Sequence, residues 1–254
     1  MKAVGVIVEY NPFHNGHHYH IKESKKVTGA DVAIAVMSGQ FLQRGEPALV
    51  DKWHRAKMAL SGGIDIVIEL PYVFSTGNAT HFAEGATQLL DAVQCESFAF
   101  GSERGTIQPF LNTLSLLKEH HEEYNALIKQ FVSTGLSYPQ SLYMAYEKLK
   151  KLEENQYIDL SQPNNILGYH YIEAADRLNL SIKPVTIQRI QAGYHDLINT
   201  DLSIASATGI RKSLFETFNL EEIKNYVPAT TFTQLEEWHK THTHFINWDT
   251  FWPL

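Results

Sequence analysis

AVGVIVEYNPFHNGHHYH, running from Ala3 to His20, is the stretch on which the fold turns. Its first six residues, Ala3 to Val8, are apolar without alternation, as in a parallel strand covered by helices on both faces. Glu9 to His17 follows as a loop, and His17 to Val27 has helical length and an amphipathic pattern. Strand, loop and helix in that order are the opening of a βαβ unit.

The same alternation recurs outward from this stretch. Val32 to Met37, Ile64 to Ile68, Ser97 to Phe100 and Pro184 to Ile187 read as further strands, and Asp51 to Ser61 and Ala79 to Val93 as the helices between them. Buried core helices are the competing reading of these apolar runs, but the runs are short and rich in Val and Ile. The expectation is an α/β domain with a mainly parallel sheet and right-handed crossovers. After the fourth strand, Thr106 to Lys118, Glu122 to Thr134 and Ser137 to Leu152 read as consecutive helices inserted before the last strand. Pro163 opens another helix through about Leu178, with Pro favoured at the first helical position, and a helix from Ala207 to Phe218 follows the last strand. These boundaries predict one domain over residues 1–218 with a helical insertion at about 106–160. Residues 219–254 read as the start of a helical C-terminal region, cut short at an apolar end that carries Trp238, Phe245, Trp248, Phe251 and Trp252.

Composition narrows the functions. In 254 residues, 44% are hydrophobic and 19% charged, which supports a packed core. No run approaches the roughly 20 apolar residues of a membrane helix, and no signal peptide is visible before Ala3, so the expected location is the cytoplasm without membrane contact. Cys95, the single cysteine, excludes an internal disulfide and a Cys-based zinc site, and reads as a small buried hydrophobe. The net charge of −7 argues against a surface coated for phosphate backbones, so any RNA binding by this chain is predicted to be weak and salt-sensitive. Lys22, Lys25 and Lys26 read as the wet face of the first helix, and His120 and His121 as exposed.

In open α/β sheets, ligands bind beyond the carboxyl ends of the strands near the switch point. Past strand one, His14 and His17 flank a glycine that lets the backbone come close to a ligand. His17 stands where free N–H groups and the helix dipole favour an anion, so two imidazoles donating to phosphate oxygens would suit a nucleoside triphosphate. A zinc cluster and solvated surface histidines are the competing readings, the first weakened by the lack of Glu or Cys at ligand spacing. No Walker lysine loop and no G-x-G-x-x-G follows strand one. Past the last strand, Ser206 and Thr208 offer hydroxyls at a helix start, and Arg211 adds a fork-shaped cation one turn on; alone this is an ordinary N-cap followed by a basic residue, and pairing with the histidine loop makes it specific. Gln40, Arg44 and Asp51, after strand two, face the same crevice and could serve a second substrate, with a solvated loop as the competing reading.

The His14-Asn15-Gly16-His17 loop and the Ser206-to-Arg211 segment resemble the two signatures of the HIGH-type nucleotidyltransferase superfamily. More closely, VGVIVEYNPFHNGHHYH (Val4 to His20), AVMSGQFLQRGEPAL (Ala35 to Leu49), FGSE (Phe100 to Glu103), QPNNILGYHY (Gln162 to Tyr171), IQRIQAGYHD (Ile187 to Asp196) and IASATGIRKSLF (Ile204 to Phe215) are similar to the tRNA(Met) cytidine acetate ligase family. The resemblance implies a Rossmann-like nucleotidyltransferase fold and a two-step reaction. Acetate attacks the α-phosphate of ATP to give acetyl-adenylate, which then acetylates the wobble cytidine of elongator tRNA(Met) to N4-acetylcytidine. It implies ATP as substrate, carried with Mg2+, and acetate and elongator tRNA(Met) as partners.

The chemistry of the residues fits the first step. His14 and His17 would hold α- and β-phosphate oxygens, while Ser206, Thr208 and Arg211 stabilise the departing pyrophosphate. The resemblance places ATP along Ile7, Val8, Glu9, Tyr10, Asn11, Pro12, Phe13, His14, Asn15, Gly16, His17, His18, Tyr19 and His20. It adds Gly101, against which the nucleotide lies, Arg189, and one of Asn164 and Asn165, between which spacing does not choose. No protein metal site is implied. An adenylyltransferase that joins AMP to a small phosphorylated cofactor precursor would use the same ATP half, and a non-catalytic ATP or RNA binder would lose these side chains. His195 has no assigned role.

Overall fold

The computed structural model describes residues 1–150, 156–189, 204–242 and 244–251, so His195 and Trp252 lie outside the described residues. Five parallel strands, β1 (Ala3–Val8), β2 (Val32–Ser38), β3 (Ile66–Leu70), β4 (Ser97–Ser102) and β5 (Lys183–Gln188), form one sheet in the order β3-β2-β1-β4-β5. The order reverses between β1 and β4, which opens the crevice of a doubly wound sheet there. The parallel sheet predicted from the apolar runs is borne out. The third strand starts two residues later than expected: Ile64 is buried in the turn that leads into it.

Each face of the sheet has its own cover. On one side α1 (Asn15–Thr28), α2 (Lys52–Ser61) and α9 (Ala207–Thr217) contribute Ile21, Met58 and Leu214, all buried against Val6, Ala35 and Ala99. On the other, α4 (Ala79–Ala92) and α8 (Pro163–Arg177) bury Phe82, Ala86, Leu90 and Tyr171 against Val36, Phe98 and Phe100. A short helix, α3 (Tyr72–Ser75), precedes α4. Burial on both sides is why β1 and β2 carry no polar alternation.

The inserted helices α5 (Gln108–Glu119), α6 (His121–Ser133) and α7 (Tyr138–Leu149) form a satellite core of Leu116, Leu117, Leu127, Ile128 and Tyr146. The Tyr146 hydroxyl donates to the Ile158 carbonyl at 2.7 Å and meets Thr113 Oγ1 at 3.2 Å, which fastens the insertion beside α8. Beyond a 3-10 turn (Leu220–Ile223), α10 (Ala229–Thr241) and α11 (Trp248–Phe251) follow. Leu235, Trp238 and Phe245 bury themselves in the same core as α1 and α2, so these aromatics pack on the sheet domain. Cys95 is buried and its thiol is pushed up to about 11 by burial, as its reading as a small hydrophobe requires. Lys25 pairs with Asp65 and Lys26 with Glu23, a solvated helix face as predicted.

Candidate active site

The carboxyl ends of β1, β4 and β5 open onto a cleft of about 760 Å³, within the range of small-ligand sites. How its floor is built begins with the two histidines. The expected helix start at His17 is corrected: α1 begins at Asn15, and His14 is its N-cap with extended backbone. His14 Nδ1 accepts the Gly16 N–H at 3.0 Å, while His17 Nδ1 accepts the His14 N–H at 3.3 Å, a reciprocal capping box made of imidazoles. The rings stack, with centroids 3.7 Å apart.

This cap decides the protonation chemistry. A ring nitrogen that accepts from a backbone N–H carries no proton, so each neutral imidazole has its proton on Nε2. Burial lowers His14 to about 4, helped by the charge of Arg189. Burial also lowers His17 well below its ordinary value, with His14, His20 and Arg189 adding to the effect. His20, buried beside Arg189, falls to about 4 as well. The pair therefore presents two fixed N–H donors at neutral pH without a permanent charge. Solvated surface histidines are overturned as a reading of His14, which is buried. Zinc fits poorly, because a metal needs a lone pair where these rings hold a proton.

Tyr10 braces the pair from below. It is buried with φ at +48°, a left-handed backbone that costs a bulky residue about 1–3 kcal/mol. In that position its ring meets Phe13 and His17 edge-on at 4.8 and 4.9 Å. Gly16 is required by the cap itself, since a Cβ there would stand 2.8 Å from His14 Cε1.

The opposite wall comes from the start of α9. Ser206 caps it, accepting the Gly209 N–H at 3.1 Å. Arg211, one turn along, donates to the Asn11 carbonyl at 2.8 Å and reaches Thr208 Oγ1 at 3.4 Å, so it ties the two signature segments together. Ser206, Thr208 and Arg211 line the cleft with His14, His17 and Arg189. The third wall belongs to α8 and the loop after β2: Asn164, Leu167, Tyr171, Gln43 and Arg44.

The predicted residues separate cleanly in space. Ile7, Val8, Glu9, Tyr10, Asn11, Gly16, Tyr19, His20, Gly101, Asn164 and Arg189 line the cleft. Pro12, Phe13, Asn15, His18 and Asn165 do not. Phe13 is fully buried under the loop, where a Cβ on Gly62 would meet its ring at 2.4 Å. Pro12 follows a cis peptide and is buried too. Asn15 spends its amide groups on the Asn225 and Tyr226 carbonyls, and His18 turns outward to the Gly62 carbonyl at 3.1 Å. Spacing left Asn164 and Asn165 unresolved; Asn164 faces the cleft and bonds Glu103 at 3.0 Å, whereas Asn165 is buried and bonds the Asp159 carbonyl at 3.0 Å. Gly101 also differs in its reason. What a side chain there would meet is the stem of Arg189, 3.1 Å from the added Cβ. Of Gln40, Arg44 and Asp51 only Arg44 lines the cleft, and Asp51 instead caps α2 through the His54 N–H at 2.8 Å.

Arg55 went unread in the sequence. It is fully buried under the loop; Nη1 donates to the Glu9 carbonyl at 2.7 Å and Nη2 donates to the Gly39 carbonyl. It thereby clamps the outgoing chain of β1 to that of β2. Its signal was the α2 spacing, because Arg55 shares a helix face with buried Met58 and Ala59. The cleft wall also gains Phe82 and Tyr171, aromatics for which the sequence had suggested no place in the site.

The N–H groups expected to be free at the start of α1 are spent inside the protein, on the His14 ring and carbonyl and on the Tyr226 carbonyl, so the imidazoles take their place as donors. A Rossmann-like sheet with such donors in a cleft at its switch point defines a nucleotide-binding α/β protein. The chain matches the HIGH Nucleotidyl Transferase family over residues 1–254 and belongs to it. It is 62% identical over 254 residues to the tRNA(Met) cytidine acetate ligase of Lysinibacillus sphaericus and 49% identical over 255 residues to that of Bacillus licheniformis. All of this chain is covered in both, against 63% and 61% of the relatives' own lengths. The crystal structure of Thermotoga maritima TmcAL bound with alpha-thio ATP matches at a TM-score of 0.86 and 37% identity, over 97% of this chain and 58% of that one. These likenesses bear out the family resemblance carried by the long motifs. Among the described residues, no helix is long and apolar enough to cross a membrane.

Proposed function

We propose that this chain is the ATP-using portion of an acetate ligase. It forms acetyl-adenylate from acetate and ATP and passes the acetyl group to the wobble cytidine of elongator tRNA(Met), giving N4-acetylcytidine in the cytoplasm. The observation that carries the reading is the His14–His17 pair, held as two neutral N–H donors opposite Ser206, Thr208 and Arg211 in one cleft. The ligase names of the relatives and the ATP analogue on the Thermotoga maritima protein support it.

Adenylyl transfer needs positioning and charge stabilisation more than covalent help. The two Nε2–H groups donate to α- and β-phosphate oxygens and can strengthen as charge builds there, without releasing a proton themselves. Arg211 and Arg189 supply the permanent positive charge. Ser206 and Thr208, at the start of α9, receive the leaving pyrophosphate where helix N–H groups favour an anion. Magnesium enters on the phosphates; among the described residues no group of three or more His, Cys, Asp or Glu could hold it alone.

An adenylyltransferase acting on a phosphorylated cofactor precursor is the second reading. The ligase names of the relatives favour the first reading over it. The test is exchange of labelled pyrophosphate into ATP by the purified chain. Exchange that needs acetate and disappears in His17→Ala supports the acetate-activating step. Exchange dependent on a mononucleotide phosphate and indifferent to acetate sinks it. Elongator tRNA(Met) acetylated in the same mixture then identifies the acceptor.

A further inference from the structure

Glu9 does not suit the phosphate-binding role implied by its place in the loop. It directly follows β1 and lines the cleft. Its Oε1 accepts the Gln43 N–H at 2.8 Å and its own carbonyl is held by Arg55 at 2.7 Å, so backbone and one carboxylate oxygen are both fixed. Oε2 accepts no hydrogen bond from the described residues. A carboxylate repels ATP phosphates and acetate alike, and its complement is an incoming N–H or O–H.

The sheet order says which donor that is. Gly101, against which the nucleotide is expected to lie, and Arg189 stand at the ends of β4 and β5. Gln43 reaches Glu9 from the loop after β2, on the other side of β1. Successive strands are spaced about 4.8 Å apart, so β5 and β1 are separated by about 10 Å. Glu9 therefore faces the acceptor half of the cleft.

We propose that Glu9 is the general base of the acyl-transfer step, a role that rests on the acetate-ligase reading. The cytidine N4 lone pair attacks the acetyl carbonyl carbon and the N–C bond forms. The bond from that carbon to the phosphoryl oxygen breaks, AMP leaves with the electron pair, and the N4 proton passes to Glu9 Oε2. An exocyclic amine conjugated with its ring is a weak nucleophile, so removal of this proton matters. Burial raises the Glu9 carboxyl, opposed by the Gln43 hydrogen bond and by Arg55 from α2, Arg211 from α9 and Arg44 from the β2–α2 loop; Tyr171 of α8 faces it as well. The result is a base stronger than a surface carboxylate.

The experiment compares wild type, Glu9→Gln and Glu9→Asp in two assays on the same preparations: acetate-dependent pyrophosphate exchange, and acetylation of unmodified elongator tRNA(Met). The expected result is that the ratio of transfer to exchange falls on the order of 10²–10⁴-fold in Glu9→Gln and recovers partly in Glu9→Asp. Wild-type transfer rises with pH as the carboxyl ionises, and Glu9→Gln lacks that limb. Exchange and transfer falling together make Glu9 a ligand of the ATP half and overturn the proposal, as does an unchanged ratio. Absence of acetate-dependent exchange in wild type, or exchange without transfer to cytidine, overturns the acetate-ligase reading beneath it.

Discussion

Replacing Gly16 with alanine separates the catalytic consequence of the histidine cap from its structural one. The new Cβ would stand 2.8 Å from His14 Cε1 and 3.0 Å from Nδ1. Carbon atoms settle at about 3.5–4.0 Å, so the ring must retreat by roughly 0.7–1.2 Å. The atoms in the way are the far end of one side chain, which makes the retreat easy for the fold. Alanine favours the helical backbone over glycine by about 0.5–1 kcal/mol, and loosening the Gly16 N–H to His14 bond costs about 0.5–1.5 kcal/mol. These nearly cancel, leaving a change in Tm of no more than about 2–4 °C for a chain of this size. Catalysis has no such compensation. A displacement of about 1 Å in a positioning group costs on the order of 10²-fold in rate, about 2.7 kcal/mol of transition-state stabilisation. Acetate-dependent pyrophosphate exchange at saturating ATP, beside thermal unfolding of the same sample, reads both. Exchange within about threefold of wild type at unchanged Tm would refute the claim that the cap sets the phosphate donors. A Tm loss beyond about 10 °C would show instead that the loop is a strut of the fold.

Three further outcomes are expected. Arg55→Leu leaves the Glu9 and Gly39 carbonyls buried without donors and should lower stability by about 2–5 kcal/mol in urea unfolding; a loss under about 0.5 kcal/mol would mean the clamp is idle. Asn164→Ala should raise KM for ATP with little change in Tm, whereas Asn165→Ala should lower Tm because the Asp159 carbonyl loses the shorter of its two hydrogen bonds; reversed effects would mean the wrong asparagine faces the ligand. His14, His17 and His20 all have lowered folded values, the first and last to about 4, so below their ordinary value of 6.5 the unfolded chain takes up protons that the native one refuses. Stability should then fall with pH between 6.5 and about 4 and be fully present above that window, as unfolding at a series of pH values will show. A flat profile across that window would contradict buried neutral imidazoles.

Much of the architecture was legible because it rests on short-range regularities. Ala3 to Val8 and Val32 to Met37 are apolar without alternation because helices cover both faces, and that pattern survives any detail of packing. The His14-Asn15-Gly16-His17 and Ser206-to-Arg211 segments were found because each abuts a strand or opens a helix, where ligands gather. Within the stretch from Ile7 to His20 the side chains divide for a local reason: a turn that presents His14 and His17 to the cleft puts Phe13, Asn15 and His18 elsewhere.

What depended on tertiary structure alone is every fact joining residues far apart in the chain. Arg211 meets the carbonyl of Asn11, 200 positions away, and Arg55 grips the chain leaving β1, 46 positions away. Asn164 and Asn165 are chemically identical neighbours on one helix, so only the direction in which α8 presents them to the cleft separates them. Composition and periodicity determined the sheet, its covering helices and the place of the histidine loop between β1 and α1, since those depend on local pattern and burial. The tautomers of the histidines follow from a local cap two and three residues across, whereas the company of Glu9 was decided by strand order and by a hydrogen bond 34 positions away, which no local pattern encodes.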